Sequence, residues 1–320
     1  MDVGVDVELT PASPPLTARA TTSVALRRLA VASLVVNILI VVTGGVVRLT
    51  GSGLGCPTWP RCTAGSFTPH GAMGIHAAIE FSNRMVTFLI AAVAVATLVV
   101  AWRSGRRAVR WIAVVLALGV PAQAVLGGVT VRTGLNPWTV SLHLVLSMAM
   151  ICVAVLLVRR VHEPDGPATP TVVRGVRSLV YGVFASGWAV LYLGTVVTGS
   201  GPHAGDLHAA RNGLDPRSAA QLHTDLVFLL VGLTVGLVLV LRSVDAPAQA
   251  RDAATTLLVV ELAQGVVGFV QYFTGLPVLL VALHLLGAAL LAASMTWLLL
   301  STREREVRAR EPALSGSATG

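Results

Sequence analysis

The 320-residue sequence contains no lysine and few charged residues of any kind. Only 12% of its residues are charged and 5% are aromatic, whereas 54% are hydrophobic and the mean hydropathy is +0.78. This composition excludes an ordinary soluble domain and predicts a multi-spanning membrane protein in a lipid bilayer. The net charge of +8 is carried by arginines that cluster between apolar runs. We interpret these arginines as a topology signal and expect no nucleic-acid partner.

Eight apolar segments are long enough to cross a hydrocarbon core about 30 Å thick, which takes about 20 helical residues. They cover residues 29–47, 78–102, 111–131, 138–158, 178–199, 220–241, 253–274 and 277–300. Of the 23 arginines, 17 lie on one side of these spans. Because cytoplasmic loops carry the excess of positive charge, we expect both termini to be cytoplasmic.

The sequence contains an internal repeat. Gln123–His143 and Gln264–His284 each have a Gln, a Gly four residues on, a Thr-Gly-Leu break ten residues after the Gln and a His twenty residues after it. The tetrapeptide TGSG occurs at residues 50–53 and again at 198–201. Since each half starts and ends on the same side, the repeat is parallel. We predict an all-α polytopic membrane protein whose eight transmembrane helices form two pseudo-symmetric four-helix bundles.

The predicted boundaries follow from the spans and from the EPDGPATP loop between the halves, which is typical of a linker. They are a cytoplasmic N-terminal tail at 1–28, an N-terminal bundle at 29–158, a cytoplasmic linker at 159–177, a C-terminal bundle at 178–300 and a cytoplasmic C-terminal tail at 301–320. The first apolar run is expected to be a retained anchor, since the residues before it are polar.

Three histidines lie at one depth, within about two turns of the outer ends of their helices: His143, His223 and His284. Ionisable residues in membrane spans are costly and are therefore functional candidates. Two neutral imidazoles from the sixth and eighth helices suit the axial positions of a haem iron better than zinc, which prefers three or four protein ligands. The alternative is a histidine pair that is bonded to backbone or serves in a proton path.

The first half differs, because Asn83 stands where the second half has His223. An amide is a poor iron ligand, so His143 is left beside an open iron position. Glu80 lies one turn before Asn83, and Arg84 follows Glu80 at ion-pair spacing. A structural ion pair and a catalytic carboxylate beside a substrate cleft both fit this spacing.

Two cysteines lie six residues apart in the first outer loop, Cys56 and Cys62. In an oxidising compartment they can close a small disulfide, either structural or redox-active. Companion ligands for zinc are missing at the usual spacing.

Together these motifs resemble the bacterial heme A synthases over essentially all eight helices. The resemblance is carried by the duplicated halves, the outer-loop CxxxxxC, a Glu-x-x-Asn-Arg segment on the second helix where the family has Glu-x-x-His-Arg, the LGGxTVxTGLxP turn, VTGSGPHAGD, QLH and QYxTGLP. It implies a membrane oxidoreductase that converts heme O to heme A by oxidising a porphyrin methyl to a formyl, for use in terminal oxidases.

The resemblance also implies roles for individual residues. His223 and His284 would ligate a resident heme b, the cofactor, in the C-terminal half, while His143 would face the substrate haem in the N-terminal half. Glu80 would be the catalytic carboxylate, and the two loop cysteines would form a disulfide.

One position departs from the family pattern, since Asn83 occupies the place of its histidine. We therefore expect the substrate iron to be held by His143 alone or by His143 with His76, which lies seven residues before Asn83 on the same helix face. Arg84, next in the motif, completes the predicted substrate-haem site.

The expected partners are heme O, a heme O synthase and a membrane electron acceptor, and a homo-oligomer is left open. The expected location is the bacterial plasma membrane, with the haem sites near its outer face. Two other functions fit parts of the pattern. A dihaem electron-transfer protein of the cytochrome b kind would need two ligands per haem in both halves, and a proton-coupled transporter would bind no haem.

Overall fold

The computed structural model of the protein describes residues 23–70 and 74–306, which form eight α-helices. These are α1 (Val24–Leu49), α2 (Gly74–Arg103), α3 (Arg107–Arg132), α4 (Pro137–His162), α5 (Arg174–Ser200), α6 (Pro216–Ser243), α7 (Ala248–Phe273) and α8 (Val278–Ser301). All eight are long and apolar enough to span a membrane. The eight predicted spans are confirmed, with ends that differ by at most five residues.

Two three-residue strands, β1 (Ala168–Pro170) and β2 (Arg303–Arg305), pair antiparallel with Ala168 opposite Arg305. They join the segment between the two halves to the chain that follows α8. The sequence predicted a linker and a tail here and gave no sign of strands. Most of the two predicted tails, residues 1–22 and 307–320, lies outside the described residues.

The helices begin and end at residues suited to those places. Asn136 accepts a hydrogen bond from the backbone of Trp138 at the start of α4, and Asp215 accepts one from the backbone of Ser218 at the start of α6. Proline follows each of these caps, at the position where its missing N–H costs nothing.

The two Thr-Gly-Leu turns have the same backbone conformation. Gly134 and Leu135 have φ values of 61° and 58°, and Gly275 and Leu276 have values of 79° and 61°. In each turn the leucine N–H donates to the carbonyl five residues earlier, at 2.8 and 2.7 Å. Left-handed residues of this kind end a helix and satisfy its last carbonyls, so the repeated motif produces the same turn twice.

Each half closes into a four-helix bundle. In the first, α1, α2, α3 and α4 pack in sequence and α4 returns to α1, and the second repeats this arrangement with α5 to α8. Between the bundles α4 packs on α8, while the contact of α1 with α8 is matched by that of α5 with α4. Exchange of the halves therefore reproduces the packing, and the predicted pair of pseudo-symmetric bundles is confirmed.

We call the side on which α4 ends and α5 begins the linker side, and the opposite side the loop side. The buried apolar clusters centre on the linker-side halves of the helices, with Leu26, Val109 and Leu157 in the first bundle and Leu241 and Leu257 in the second. The candidate site lies in the loop-side halves.

An ion-pair network holds the linker in place. Glu163 pairs with Arg160 and Arg305, both at shortest distances of 3.3 to 3.4 Å, and Asp165 pairs with Arg106 at 2.9 Å. These contacts connect the chain after α4 to the α2–α3 turn and to β2, so the two bundles are tied together on the linker side.

Candidate functional site

The three predicted histidines lie in the loop-side halves of α4, α6 and α8, and each packs its imidazole against a glycine of a neighbouring helix. A Cβ atom added at these glycines would lie 3.3 to 3.4 Å from the Cε1 of the facing ring. The pairs are Gly127 with His143, Gly194 with His223 and Gly268 with His284. A side chain at these positions would crowd the imidazole, so the glycines leave the rings the space they occupy.

The rings keep unused hydrogen-bonding capacity. The Nδ1 atoms of His143, His223 and His284 are buried and have no hydrogen-bond partner within the described residues. His223 and His284 are near enough to interact electrostatically, and the His223 ring also interacts with the Val190 carbonyl. A buried Nδ1 has no room for a bound group beside it, so Nε2 is the nitrogen of each half-buried ring that a ligand can reach.

Haem fits this donor set. Residues 23–70 and 74–306 contain no group of three His, Cys, Asp or Glu side chains that could hold a metal ion. Zinc sites need three or four such ligands, whereas haem iron takes one or two axial imidazoles. The C-terminal bundle offers two facing histidines and the N-terminal bundle offers one.

A glutamine fixes the backbone beneath two of the histidines. Gln264 donates from Nε2 to the carbonyl of His284 at 2.9 Å, and Gln123 donates to that of His143 at 3.4 Å. The side chain of Gln264 lies so close to Gly287 that any Cβ there would displace it. The repeated Gln and His therefore form one unit in each bundle.

A cavity of about 60 Å³ adjoins His143 inside the N-terminal bundle. Its polar lining includes Asn37, Thr87, Gln123 and Ser147, and the Oε1 atom of Gln123 is buried without a partner. A cavity of this volume has room for a few water molecules, and most of its lining surface is apolar.

The other two candidates for the first haem site already have partners. The Oδ1 of Asn83 accepts a hydrogen bond from Thr43 at 2.7 Å, and the Nδ1 of His76 lies 2.9 Å from the Ser52 hydroxyl. His76 is exposed at the start of α2, whereas Asn83 is half-buried. The Nδ2 of Asn83 and the Nε2 of His76 take no part in these two contacts and are available to a ligand.

Glu80 connects α2 to the disulfide loop. It is only 6% exposed, and its Oε2 accepts a hydrogen bond from the backbone N–H of Cys56 at 2.6 Å. Its Oε1 accepts one from Arg84 Nε at 3.1 Å. Cys56 and Cys62 form the predicted disulfide, which is confirmed. The spacing indicated the ion pair with Arg84, but the contact with the loop backbone was not foreseen.

Arg84 also binds the disulfide loop. Its guanidinium donates to the carbonyls of Cys56, Thr58 and Arg61 at 3.1 to 3.3 Å. The Trp59 ring of this loop lies directly on the backbone of α3 at Gly128, where no side chain could be accommodated. The loop therefore covers the ends of α2 and α3, next to the N-terminal cleft.

Sequence reasoning missed two buried charged groups. Arg48 at the end of α1 donates to the carbonyls of His203 and Thr198, at 2.7 and 2.9 Å, and so links the halves on the loop side. Glu261 in α7 is 3% exposed. An acidic residue inside an apolar span is a functional candidate by default, and that signal could have identified Glu261.

Comparisons with known proteins agree with the resemblance. The model of the COX15-CtaA family, described as cytochrome oxidase assembly protein, matches residues 27–205, which is more than half of the chain. The chain is 30% identical to the heme A synthase of Halalkalibacterium halodurans over 50% of its own length and 55% of the relative. It is also 30% identical to that of Bacillus pumilus, over 54% of its length and 58% of the relative.

These two matches span little more than half the length of the relatives. A longer match, to the heme A synthase of Bacillus cereus, covers 88% of the chain and 95% of the relative at 23% identity. With its eight spans, duplicated bundles and loop-side disulfide, the chain belongs to the COX15-CtaA family, the family of the heme A synthases.

Proposed function

We propose that the protein is a membrane oxidoreductase that converts heme O to heme A by oxidising a porphyrin methyl group to a formyl group. The observation that carries the proposal is the difference between the halves. The C-terminal bundle has two histidines, His223 and His284, whereas the N-terminal bundle has His143 and, at the position of His223, Asn83. A haem held by two imidazoles is bound more firmly than a haem held by one, which leaves one side of the iron open.

In this proposal His223 and His284 hold a resident heme b in the C-terminal bundle. When bound, heme b supplies one-electron redox chemistry. The protein fixes both ligands: Gln264 holds the backbone at His284, and the glycines beside the rings keep side chains away from them. The family membership and the donor set support this assignment.

In the N-terminal bundle His143 faces the substrate haem. Asn83, whose carbonyl oxygen is held by Thr43, presents its amide at the position matched by His223 in the other half. His76 is the remaining candidate for a second ligand, although its Nδ1 contacts Ser52. The cavity beside His143 would hold water next to the proposed substrate haem.

Glu80 is the proposed catalytic carboxylate. Both of its oxygens are engaged, one with Arg84 and the other with the N–H of Cys56. Each carboxylate oxygen has two lone pairs, so Glu80 can accept a proton at Oε2 and keep its hydrogen bond from the Cys56 N–H. Protonation would weaken the interactions of Glu80 with Arg84 and with the disulfide loop. Arg84 balances the charge of the ionised carboxylate.

The arginine distribution supports cytoplasmic termini, with both haem sites near the outer face of a bacterial plasma membrane. In that arrangement a heme O synthase delivers the substrate within the bilayer. A membrane electron acceptor receives the electrons from the C-terminal bundle.

The proposal is tested by supplying heme O to the protein in membranes that lack heme A and extracting the haem. We expect a formyl product from the wild type and none from His143→Ala. Recovery of heme O alone, together with two permanently bound haems per chain, would contradict the proposal and favour a dihaem electron-transfer protein.

A further inference from the structure

Glu261 is a buried carboxyl group to which the proposed function gives no role. It lies near the middle of α7, inside the C-terminal bundle, and is 3% exposed. Its Oε1 accepts a hydrogen bond from the Thr234 hydroxyl of α6 at 2.9 Å. Its Oε2 is buried and has no hydrogen-bond partner among the described residues.

The carboxyl group lies on the helix face that serves the histidines. Glu261, Gln264 and Gly268 are spaced by three and four residues, so they share one face of α7. Gln264 holds the backbone of His284, and Gly268 faces its ring. Glu261 is therefore one turn from Gln264 and two turns from Gly268, on the linker side.

Thr234 has the corresponding place on α6. It follows His223 by eleven residues, about three turns, and so lies on the same face of that helix. Glu261 and Thr234 thus form a polar pair below the two histidines, between the helices that carry them or support them.

The pair occurs only in this half of the repeat. With the offsets of 141 and 140 residues that align the halves, Glu261 corresponds to Val120 and Thr234 to Ala94. The half that we propose to hold the resident haem therefore has a carboxyl group where the substrate half has an apolar side chain.

No cation of the described residues pairs with Glu261, since none of their ion pairs includes it. The helices that pack on α7 are α6 and α8. Their ionisable groups, with those of α7 itself, are Arg217, His223, Asp225 and Arg242 on α6, His284 on α8, and Arg251, Asp252 and Tyr272 on α7. Of those on α6 and α8, only the two histidines are not exposed.

An ionised carboxylate without a countercharge is costly in such surroundings, and the group takes up a proton instead. A ferric porphyrin carries one net positive charge, which can offset an ionised Glu261. A ferrous porphyrin carries no net positive charge. Reduction of the iron therefore makes an ionised Glu261 costly again.

We propose that Glu261 is a proton-binding site coupled to the redox state of the haem held by His223 and His284. The inference rests on the proposed function, which places that haem in this bundle. One electron from the substrate reduces the iron, and one proton binds to Glu261 at Oε2. When the electron passes to the membrane acceptor, the proton is released, so charge balances at each step.

The test is an equilibrium redox titration of the purified, haem-loaded full chain at a series of pH values. We expect the midpoint potential of wild type to fall as pH rises. The upper limit is about 59 mV per pH unit, which corresponds to the uptake of one proton per electron. In Glu261→Gln the potential should be independent of pH over the same range. Asp252→Asn, which removes an exposed carboxylate from the same helix, should retain the wild-type slope.

A flat wild-type profile, or the same slope in Glu261→Gln, would overturn the inference while leaving the proposed function intact. A wild-type chain that binds no haem would instead refute the proposed function. If Glu261→Gln does not fold, Thr234→Val serves in its place. That variant removes the Thr234 hydroxyl, which donates to the ionised carboxylate, and should shift the pH range in which the midpoint potential depends on pH to higher values. An unchanged range would overturn the inference.

Discussion

Replacing Arg84 with methionine should release the disulfide loop. The substitution removes the donor to three loop carbonyls and the cation beside Glu80, while keeping most of the side-chain volume. Hydrogen bonds to charged groups contribute about 1.5–3 kcal/mol each, and breaking a buried ion pair costs about 3–5 kcal/mol. The side chains of Arg84 and Glu80 are 20% and 7% exposed, so the pair is screened only in part. We therefore expect Arg84→Met to lower the free energy required to open the loop by about 3 kcal/mol.

A loss of about 3 kcal/mol corresponds to an opening equilibrium about 100-fold larger. The assay is the rate at which a membrane-impermeant phosphine reduces the Cys56–Cys62 disulfide in nanodiscs, followed by alkylation and mass spectrometry. Arg84→Met should increase this rate by about 100-fold, and Arg84→Lys should give an intermediate value, since a single ammonium cannot reach three carbonyls.

Arg61→Met is the matched control. The Arg61 guanidinium is exposed and donates within its own loop to the Ala64 carbonyl, so its loss should change the reduction rate less than about threefold. A rate for Arg84→Met within threefold of the wild type would refute the assignment of Arg84 as the residue that holds the loop.

Three further substitutions test other parts of the site. Gly268→Val should push the ring of His284 away and reduce haem retention at least tenfold, whereas Gly265→Val, which has open space around its Cα, should retain wild-type haem content. Asn83→His should add a second ligand, change the spectrum of the bound substrate haem and slow turnover, and an unchanged spectrum and rate would remove the argument for an open iron position. Arg48→Gln should lower the midpoint temperature of unfolding in detergent, because the carbonyls of His203 and Thr198 lose a charged donor from the other half. An unchanged midpoint would show that this link contributes little.

The sequence predicted the eight helices because their apolar segments are long enough to span a bilayer. It also predicted His143 and His284, because each copy of the repeated Gln-to-His unit contains one of them, and His223, because it lies at the same depth in an apolar helix. The spacing of the two loop cysteines and the family resemblance predicted the disulfide. Each of these features depends on residues close together in the chain or on the repeat itself.

Contacts between distant segments could not be predicted in this way. Arg48 reaches carbonyls about 150 residues away, and Glu80 binds the backbone of a loop 24 residues earlier. Both depend on how the bundles and loops pack, which hydrophobic periodicity does not specify. The strands β1 and β2 are too short to produce a pattern. Glu261 was within reach of the sequence, since a lone acid in an apolar span is itself a signal.

The central claim is that the C-terminal bundle holds a permanent haem through His223 and His284, while His143 serves a haem that comes and goes. The most direct test is the reduced-minus-oxidised absorption spectrum of purified wild type and of the three single His→Ala variants. We expect a b-type spectrum in wild type and in His143→Ala, and its loss in His223→Ala and His284→Ala. A b-type spectrum of wild-type intensity in His223→Ala and in His284→Ala would contradict the account.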